Sequence, residues 1–489
     1  MLIVTLTLLP ALTGLLAFFI DRPAVLRLLL LLTAVIHLLL TLSTWIWPAP
    51  PIWSGWLALD ALGQLYLTCI SVLFAAVAFY AVGYIGAEQL GNRPDFEDKR
   101  QIFSNAPESI FFGCLLLFLT FMSFACVCQH FGLFWVAIES TTLVSAPLIY
   151  FHRHRRSLEA TWKYLMICSV GIALALLGYL FLAVGAPGIS TDDQMLLESL
   201  KTAGPGFHLT WLRGAFILFL VGYGTKMGLA PMHTWKPDTY AEAPSLVSAL
   251  MSGGLSLCAF LGILRVLQVC QAAGEGPFAQ NLLVILGLLS IGVAAVFLVA
   301  QVDYKRMLAY SSIEHMGIMA LGAGLGGIGC WGALFHGVGH TLVKGLLFLV
   351  AGNILAAYHT RDTSEVRGVL GVAPTSGALW ITGFLAITGA PPFSLFISEL
   401  SVLKAALDQG RSGVAAVYLL LLAIIFVGMA SVVLRMAQGT PPAGVAPVRE
   451  ARWQVVPPVI LLVLALLLGV VIPPPLQEVL KAAALSVGG

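Results

Sequence analysis

The sequence predicts an all-α membrane protein that crosses the bilayer about fourteen times. Three observations predict it. Of 489 residues, 59% are hydrophobic and only 10% charged, and mean hydropathy is +0.96. A soluble chain of this length needs far more charge to cover its surface. Backbone groups in hydrocarbon must be satisfied internally, which leaves helices or closed barrels. Runs such as Cys114 to Phe124 and Val459 to Ile472 are almost continuously apolar. They lack the alternation of a barrel strand, so helices fit.

A span needs about 20 apolar residues. Taken in order, the candidates are 2–20, 25–46, 58–86, 109–128, 131–151, 158–184, 209–230, 241–270, 280–301, 305–325, 330–356, 373–407 (broken), 413–437 and 454–473. Polar connections fall at 87–108, 185–208, 357–372 and 438–453. No soluble domain fits between them, so the chain reads as a single polytopic domain, 1–489. The first stretch lacks a basic n-region and a small-residue cleavage site, and is read as a retained span.

Orientation follows from Lys and Arg. Fourteen spans put both termini on one side. The other side receives 16 basic residues: Arg22, Arg27, Arg93, Lys99, Arg100, Arg153, Arg155, Arg156, Lys236, Lys305, Arg306, Arg361, Arg367, Arg435, Arg449 and Arg452. The termini side receives six: Lys201, Arg213, Arg265, Lys404, Arg411 and Lys481. The richer side is expected to be cytoplasmic, with both termini outside. Net charge of +2, with no basic domain, gives no sign of nucleic-acid binding. The eight cysteines lie almost entirely in apolar segments with no CxxC pair, and read as buried small hydrophobes rather than metal or cluster ligands.

Three lysines remain, Lys163, Lys226 and Lys344, all within apolar spans. Ionisable groups at membrane depth are costly, and each is a functional candidate. Glu139, Glu399, His336 and His340 join them, with Glu314 and His315 expected at shallower depth. Glu139 lies too deep to snorkel; a structural ion pair is its alternative. For Lys226 the alternative is a lysine snorkelling to the interface. Gly228 and Pro231 interrupt the run beside Lys226, and Gly389-Ala-Pro-Pro-Phe393 interrupts another before Glu399. Broken helices at depth line cavities or lie buried in protein, and expose helix-end dipoles. Two such breaks, each near an ionisable group, point to a transport site. His336, His340 and Lys344 are spaced i, i+4, i+8, along one helix face. Metal binding by the two histidines lacks a third ligand at metalloenzyme spacing, so no metal is expected.

These residue types suit proton hopping. Lysine pKa falls on burial and rises beside a carboxylate, so a Glu139–Lys226 pair acts as a switch, and histidine relays protons near neutral pH. Gly322-Ala-Gly-Leu-Gly-Gly327 matches GxGxxG but lacks a preceding strand and a partner acid; it reads as helix-packing glycines. No flavin, phosphate or quinone motif stands out, and no cofactor is expected on this chain.

Three long motifs carry a resemblance. Gly228-Leu-Ala-Pro-Met-His-Thr-Trp-Lys-Pro-Asp238 with Glu242-Ala-Pro-Ser-Leu-Val-Ser-Ala-Leu250 is the first. The second is Asp303-Tyr-Lys-Arg-Met-Leu-Ala-Tyr-Ser-Ser-Ile-Glu-His315, and the third is Gly389-Ala-Pro-Pro-Phe with Ser398-Glu399. Over roughly residues 58 to 437 the chain resembles the antiporter-like, proton-translocating subunits of respiratory complex I and the Mrp antiporters. Glu139-Ser-Thr-Thr-Leu and Ser157-Leu-Glu-Ala-Thr-Trp-Lys-Tyr164 most resemble the F-type subunit of hydrogenase-4/formate hydrogenlyase complexes.

The resemblance implies two inverted five-helix repeats, at 109–270 and 280–437, with discontinuous seventh and twelfth helices. Residues 1–108 would form three N-terminal helices, and 454–489 the last helix and tail. It implies a bacterial or archaeal inner membrane, other membrane subunits as partners, and a separate peripheral redox arm. Glu139 matches the family's fifth-helix carboxylate and Lys226 its seventh-helix lysine. His336, His340 and Lys344 match eleventh-helix groups, and Glu399 the exit residue of the twelfth. Many relatives carry Lys or His in the eighth helix, where this chain has Leu257; a central hop would then need water or Ser256. The chain lacks the long lateral helix of some distal relatives, so an internal or paired position is expected. Alternatives are a subunit of a multi-subunit Na+/H+ antiporter, a partner in inorganic-carbon uptake, and a non-transporting scaffold.

Overall fold

A computed structural model describes residues 1–87, 92–94, 102–186, 195–299 and 301–488. Lys99 and Arg100, counted above toward the basic side, lie outside the described residues. The chain runs α1 Leu2–Ala17, α2 Pro23–Ser43, α3 Ala61–Ala87, a two-stranded antiparallel ribbon (β1 Asn92–Pro94, β2 Ile102–Ser104), α4 Glu108–Val127, α5 Phe131–Ile149, α6 Arg155–Gly185, α7 Leu197–Thr202, α8 Leu209–Met227, α9 Trp235–Glu242 and α10 Ser245–Leu250. It continues through a π-turn at Met251–Leu255 into α11 Ser256–Ala272, then α12 Gly276–Leu298, α13 Tyr304–Leu325, α14 Gly327–Tyr358, α15 Val369–Val372, α16 Pro374–Ile387, α17 Ser394–Asp408, α18 Ser412–Ala437, α19 Arg452–Val470 and α20 Pro474–Ser486. Among the described residues, ten helices are long and apolar enough to cross a membrane. α13 is not one of them; its Ser, Glu and His residues lower its hydropathy, yet nearly every residue in it is buried.

Small residues let the helices approach closely, as packing in lipid requires. Gly171, Gly178 and Gly222 bring α6 against α8. Gly287, Gly317 and Gly324 do the same for α12 and α13. Gly322 packs on Gly329, and Gly326 turns the chain from α13 to α14 at φ +68°. The glycine-rich stretch is thus a helix-packing device, as its sequence implies. All eight cysteines are buried and free.

Among the described residues, ion pairs between helices join groups that the expected alternation of spans puts on one side. Arg361 pairs with Glu242 at 2.8 Å and Asp303 at 3.5 Å, and Arg306 and Lys163 both hold Asp238. Arg213–Glu275 and Arg265–Asp60 join ends that the same expected alternation puts on the other side. Both interrupted runs are broken as expected. α8 gives way to α9 across Gly228–Thr234, and α16 to α17 across Thr388–Phe393.

Candidate functional site

The first break explains itself residue by residue. A helix end leaves carbonyls without intrahelical donors. Gly228 takes φ +85°, and its N–H and that of Leu229 both return to Gly224 O, a glycine-terminated helix end. Trp235 Nε1 donates to Thr225 O at 2.9 Å and Lys236 Nζ to Met227 O at 2.7 Å. The motif that follows α8 therefore folds back to satisfy the carbonyls that the break exposes. At the second break Gly389, at φ +67°, lies against the Glu399 carboxylate.

Lys226 is fully buried at the end of α8. Its Nζ donates to Thr142 Oγ1 at 2.7 Å and to Tyr164 OH at 2.8 Å. Thr142 Oγ1 in turn donates to Glu139 Oε2 at 3.2 Å. The expected Glu139–Lys226 contact is therefore indirect, a correction to the sequence reading: Thr142, one turn along α5, stands between them. Ser169 also donates to Glu139 at 3.4 Å, and Glu139 itself is half-buried.

The second group is built on α13, α14 and α17. His336, His340 and Lys344 are fully buried. His315 Nδ1 lies 2.8 Å from His336 Nε2, and His336 Nδ1 2.9 Å from Ser398 Oγ. The tautomers follow from the partners. Ser398 Oγ donates to Leu395 O at 2.8 Å, so it accepts from His336 Nδ1–H. The neutral His336 Nε2 is then an acceptor, and His315 Nδ1–H donates to it. That leaves His315 Nε2 bare; it and both ring nitrogens of His340 lack a partner among the described residues, and the His315 and His340 ring centroids are 5.3 Å apart. Lys344 Nζ donates to Leu308 O at 2.8 Å. Glu314 accepts from Ser311.

Two placements differ from the sequence reading. Glu314 and His315, expected shallower, are buried at 3% and 0% exposure in the middle of this group, because α13 is enclosed on all sides. Lys163, expected inside an apolar span, is about half-exposed and paired with Glu159 at 2.8 Å and Asp238 at 2.9 Å. It lies apart from the buried row.

Sequence reasoning missed Lys236, which is fully buried rather than in a cytoplasmic loop. Its neighbours His233 and Asp238 lend the stretch a loop's polarity, and only the fold-back at the break takes it to depth. Removing it leaves the charge asymmetry intact. The hydroxyl links Thr142, Tyr164 and Ser398 were also missed, since Ser, Thr and Tyr carry no hydropathy signal. His37, buried in α2, bridges Ser71 at 2.9 Å and Ser123 at 3.0 Å; both nitrogens are satisfied, as in a core histidine.

The donor atoms of His315, His336 and Glu399 lie within 4.8 Å of one another. The sequence reading found no third ligand at metalloenzyme spacing; the fold brings one, because His315 and Glu399 come from other helices, and both ring nitrogens of His336 are here engaged with His315 and Ser398.

A predominantly helical membrane protein with two broken helices and a buried row of Glu, Lys and His belongs to the ion-conducting class. Residues 128–433 match the family described as NADH:quinone oxidoreductase/Mrp antiporter, transmembrane. The chain is 32% identical over 407 residues to the hydrogenase-4 component F homolog of Methylacidiphilum infernorum, covering 82% of each. In fold it is similar to a chain of the membrane-bound sulfane sulfur reductase, an archaeal respiratory membrane complex, with TM-score 0.85 and 20% identity over 99% of this chain and 97% of that one. A chain of respiratory complex I from Thermus thermophilus superposes with TM-score 0.81 and 25% identity, covering 100% of both. The protein belongs to the NADH:quinone oxidoreductase/Mrp antiporter membrane family.

Proposed function

We propose that this chain is a proton-translocating membrane subunit of a redox-driven complex, hydrogenase-4-like or NADH:quinone oxidoreductase-like. The observation that carries the reading is the buried protonatable row. It starts at Glu139, passes through Thr142 to Lys226, and resumes with Lys344, His340, His336, His315 and Glu314 before Glu399. Such groups are costly at membrane depth and are retained where a proton must pass. Lys226, hydrogen-bonded toward Glu139, keeps its proton while that carboxylate is charged and near, and releases it when the carboxylate moves or is neutralised. His315 Nε2 is the open acceptor at the other end, with His336 and Ser398 next in line toward Glu399.

In this reading the chain forms fourteen spans. Residues 1–108 hold the first three, 109–270 and 280–437 are two inverted five-helix repeats, and 454–489 carry the last span and tail. Both termini face the outside of a bacterial or archaeal inner membrane. The same-side ion pairs support that alternation. Neighbouring membrane subunits flank the chain, and a peripheral arm carries out the electron transfer; this chain binds no cofactor or metal. The family's description also names Mrp antiporters, and a Na+/H+ antiporter subunit is the second reading.

The test is proton uptake by inverted vesicles holding the intact complex, driven by its electron donor, with electron transfer assayed in parallel. Lys226→Ala is expected to reduce pumping about a hundredfold or more, the usual scale for losing a proton-transfer group, in a complex that still assembles. Untouched pumping and turnover would make the residue structural and favour a scaffold. Proton movement driven by a sodium gradient without any electron donor would favour the antiporter.

A further inference from the structure

The row described above has a gap. Between Lys226 and the α13–α14 group stand α10, the π-turn and α11, and residues 245–264 contain no Lys, His, Asp or Glu. We propose that Lys236, from the far side of the first break, is the protonatable group that carries the proton across this gap; the inference rests on the proton-translocating reading.

Geometry supports it at each end. Lys236 is fully buried with no carboxylate paired to it among the described residues. Besides Met227 O, its Nζ reaches Ser256 Oγ at 3.3 Å. Gly228 makes the approach possible, since a Cβ there would meet Lys236 Cδ at 2.5 Å. On the Lys226 side, the Tyr164 ring that receives Lys226 lies 5.0 Å from the ring of Trp235, the neighbour of Lys236.

On the other side, Ser256 lies one turn beyond Ser252. Ser312 Oγ donates to Leu308 O at 3.0 Å, so in the 2.9 Å contact between hydroxyls Ser252 donates to Ser312. Leu308 O is also the acceptor for Lys344 Nζ. The π-turn, Met251–Leu255, contains Ser252 and ends just before Ser256; within it Gly253 O accepts from Thr341 of α14 at 2.9 Å. Such turns recur at functional sites. Leu257, by contrast, presents only methyl groups toward Gly337, beside His336.

A purely structural lysine would cap Met227 O and do nothing else. Glutamine can donate that cap but cannot release a proton at any working pH. The experiment therefore compares Lys236→Gln, Lys236→Leu and the double variant Lys236→Leu/Leu257→Lys in intact complexes in inverted vesicles, with Lys226→Ala alongside. Assembly is read on native gels and pumping per electron transferred by dye quenching. Both single variants are expected to assemble and to lose pumping about tenfold or more. The double variant, which returns an amine to the same gap from α11, is expected to recover part of it. Native pumping by Lys236→Gln, while Lys226→Ala no longer pumps, overturns the proposal and leaves the proton-path reading standing. Native pumping by both removes the path reading and this proposal with it. Loss of assembly in both single variants assigns Lys236 to capping and likewise overturns the proposal.

Discussion

Thr142→Val isolates the link between Glu139 and Lys226. The substitution keeps the branched shape at a fully buried position on α5 and removes one oxygen. That oxygen accepts from Lys226 Nζ at 2.7 Å and donates to Glu139 Oε2 at 3.2 Å. A hydrogen bond to a charged group contributes about 1.5–3 kcal/mol. If that energy enters the proton-transfer barrier in full, at about 1.4 kcal/mol per factor of ten, pumping falls roughly ten- to a hundredfold. Tyr164 still accepts from Lys226 at 2.8 Å, so the lysine keeps a partner and the fold is expected to survive. The assay is pumping per electron in inverted vesicles, run as a cycle with Glu139→Gln. Because the three groups are in series, Thr142→Val is expected to add little in the Glu139→Gln background, the non-additivity expected of direct contacts. Native pumping by an assembled Thr142→Val complex, beside a Lys226→Ala complex that has stopped, refutes the reasoning.

Gly389→Ala places a Cβ on a residue at φ +67° and against the Glu399 carboxylate. The backbone alone costs about 1–2 kcal/mol, and the carboxylate must move, so detergent melting is expected to shift down and pumping to fall together. Arg361→Ala takes away the 2.8 Å partner of Glu242 and the 3.5 Å partner of Asp303 at a site where the arginine is 6% exposed. Leaving a buried charge with no partner costs about 3–5 kcal/mol; Arg156 at 3.7 Å and His154 at 3.6 Å remain beside Glu242, so the loss is expected below that range but above that of Lys163→Ala, which removes a half-exposed pair worth about 1 kcal/mol or less. Thermal unfolding of the two variants side by side checks the contrast, with pumping of Lys163→Ala expected to stay native.

Much of the site was legible because charge at membrane depth is conspicuous. Lys226, His336, His340 and Lys344 stand out in runs of apolar residues, and all four are fully buried. The breaks were legible because a Gly followed within three residues by Pro interrupts an apolar run at each, Gly228 with Pro231 and Gly389 with Pro391. Thr142 and Ser398 were not, because a hydroxyl in an apolar helix usually satisfies its own backbone, and only the neighbouring helix decides whether it links two charges instead. Glu314 and His315 were misplaced in depth for a related reason. Their distance from a helix end suggests a shallow position, but depth depends on what encloses α13.

The sequence by itself determined the class of protein, most of its apolar helices and the ionisable residue types within them, because hydropathy and helical spacing are properties of a single segment. Tertiary structure alone decided which of those groups meet. It put Thr142 between Glu139 and Lys226, joined His315 to His336 across two helices, and drew Lys236 out of a polar connection into the interior. The physical reason is that a broken helix leaves carbonyls which some donor must satisfy. Which donor folds back to them depends on packing between segments far apart along the chain.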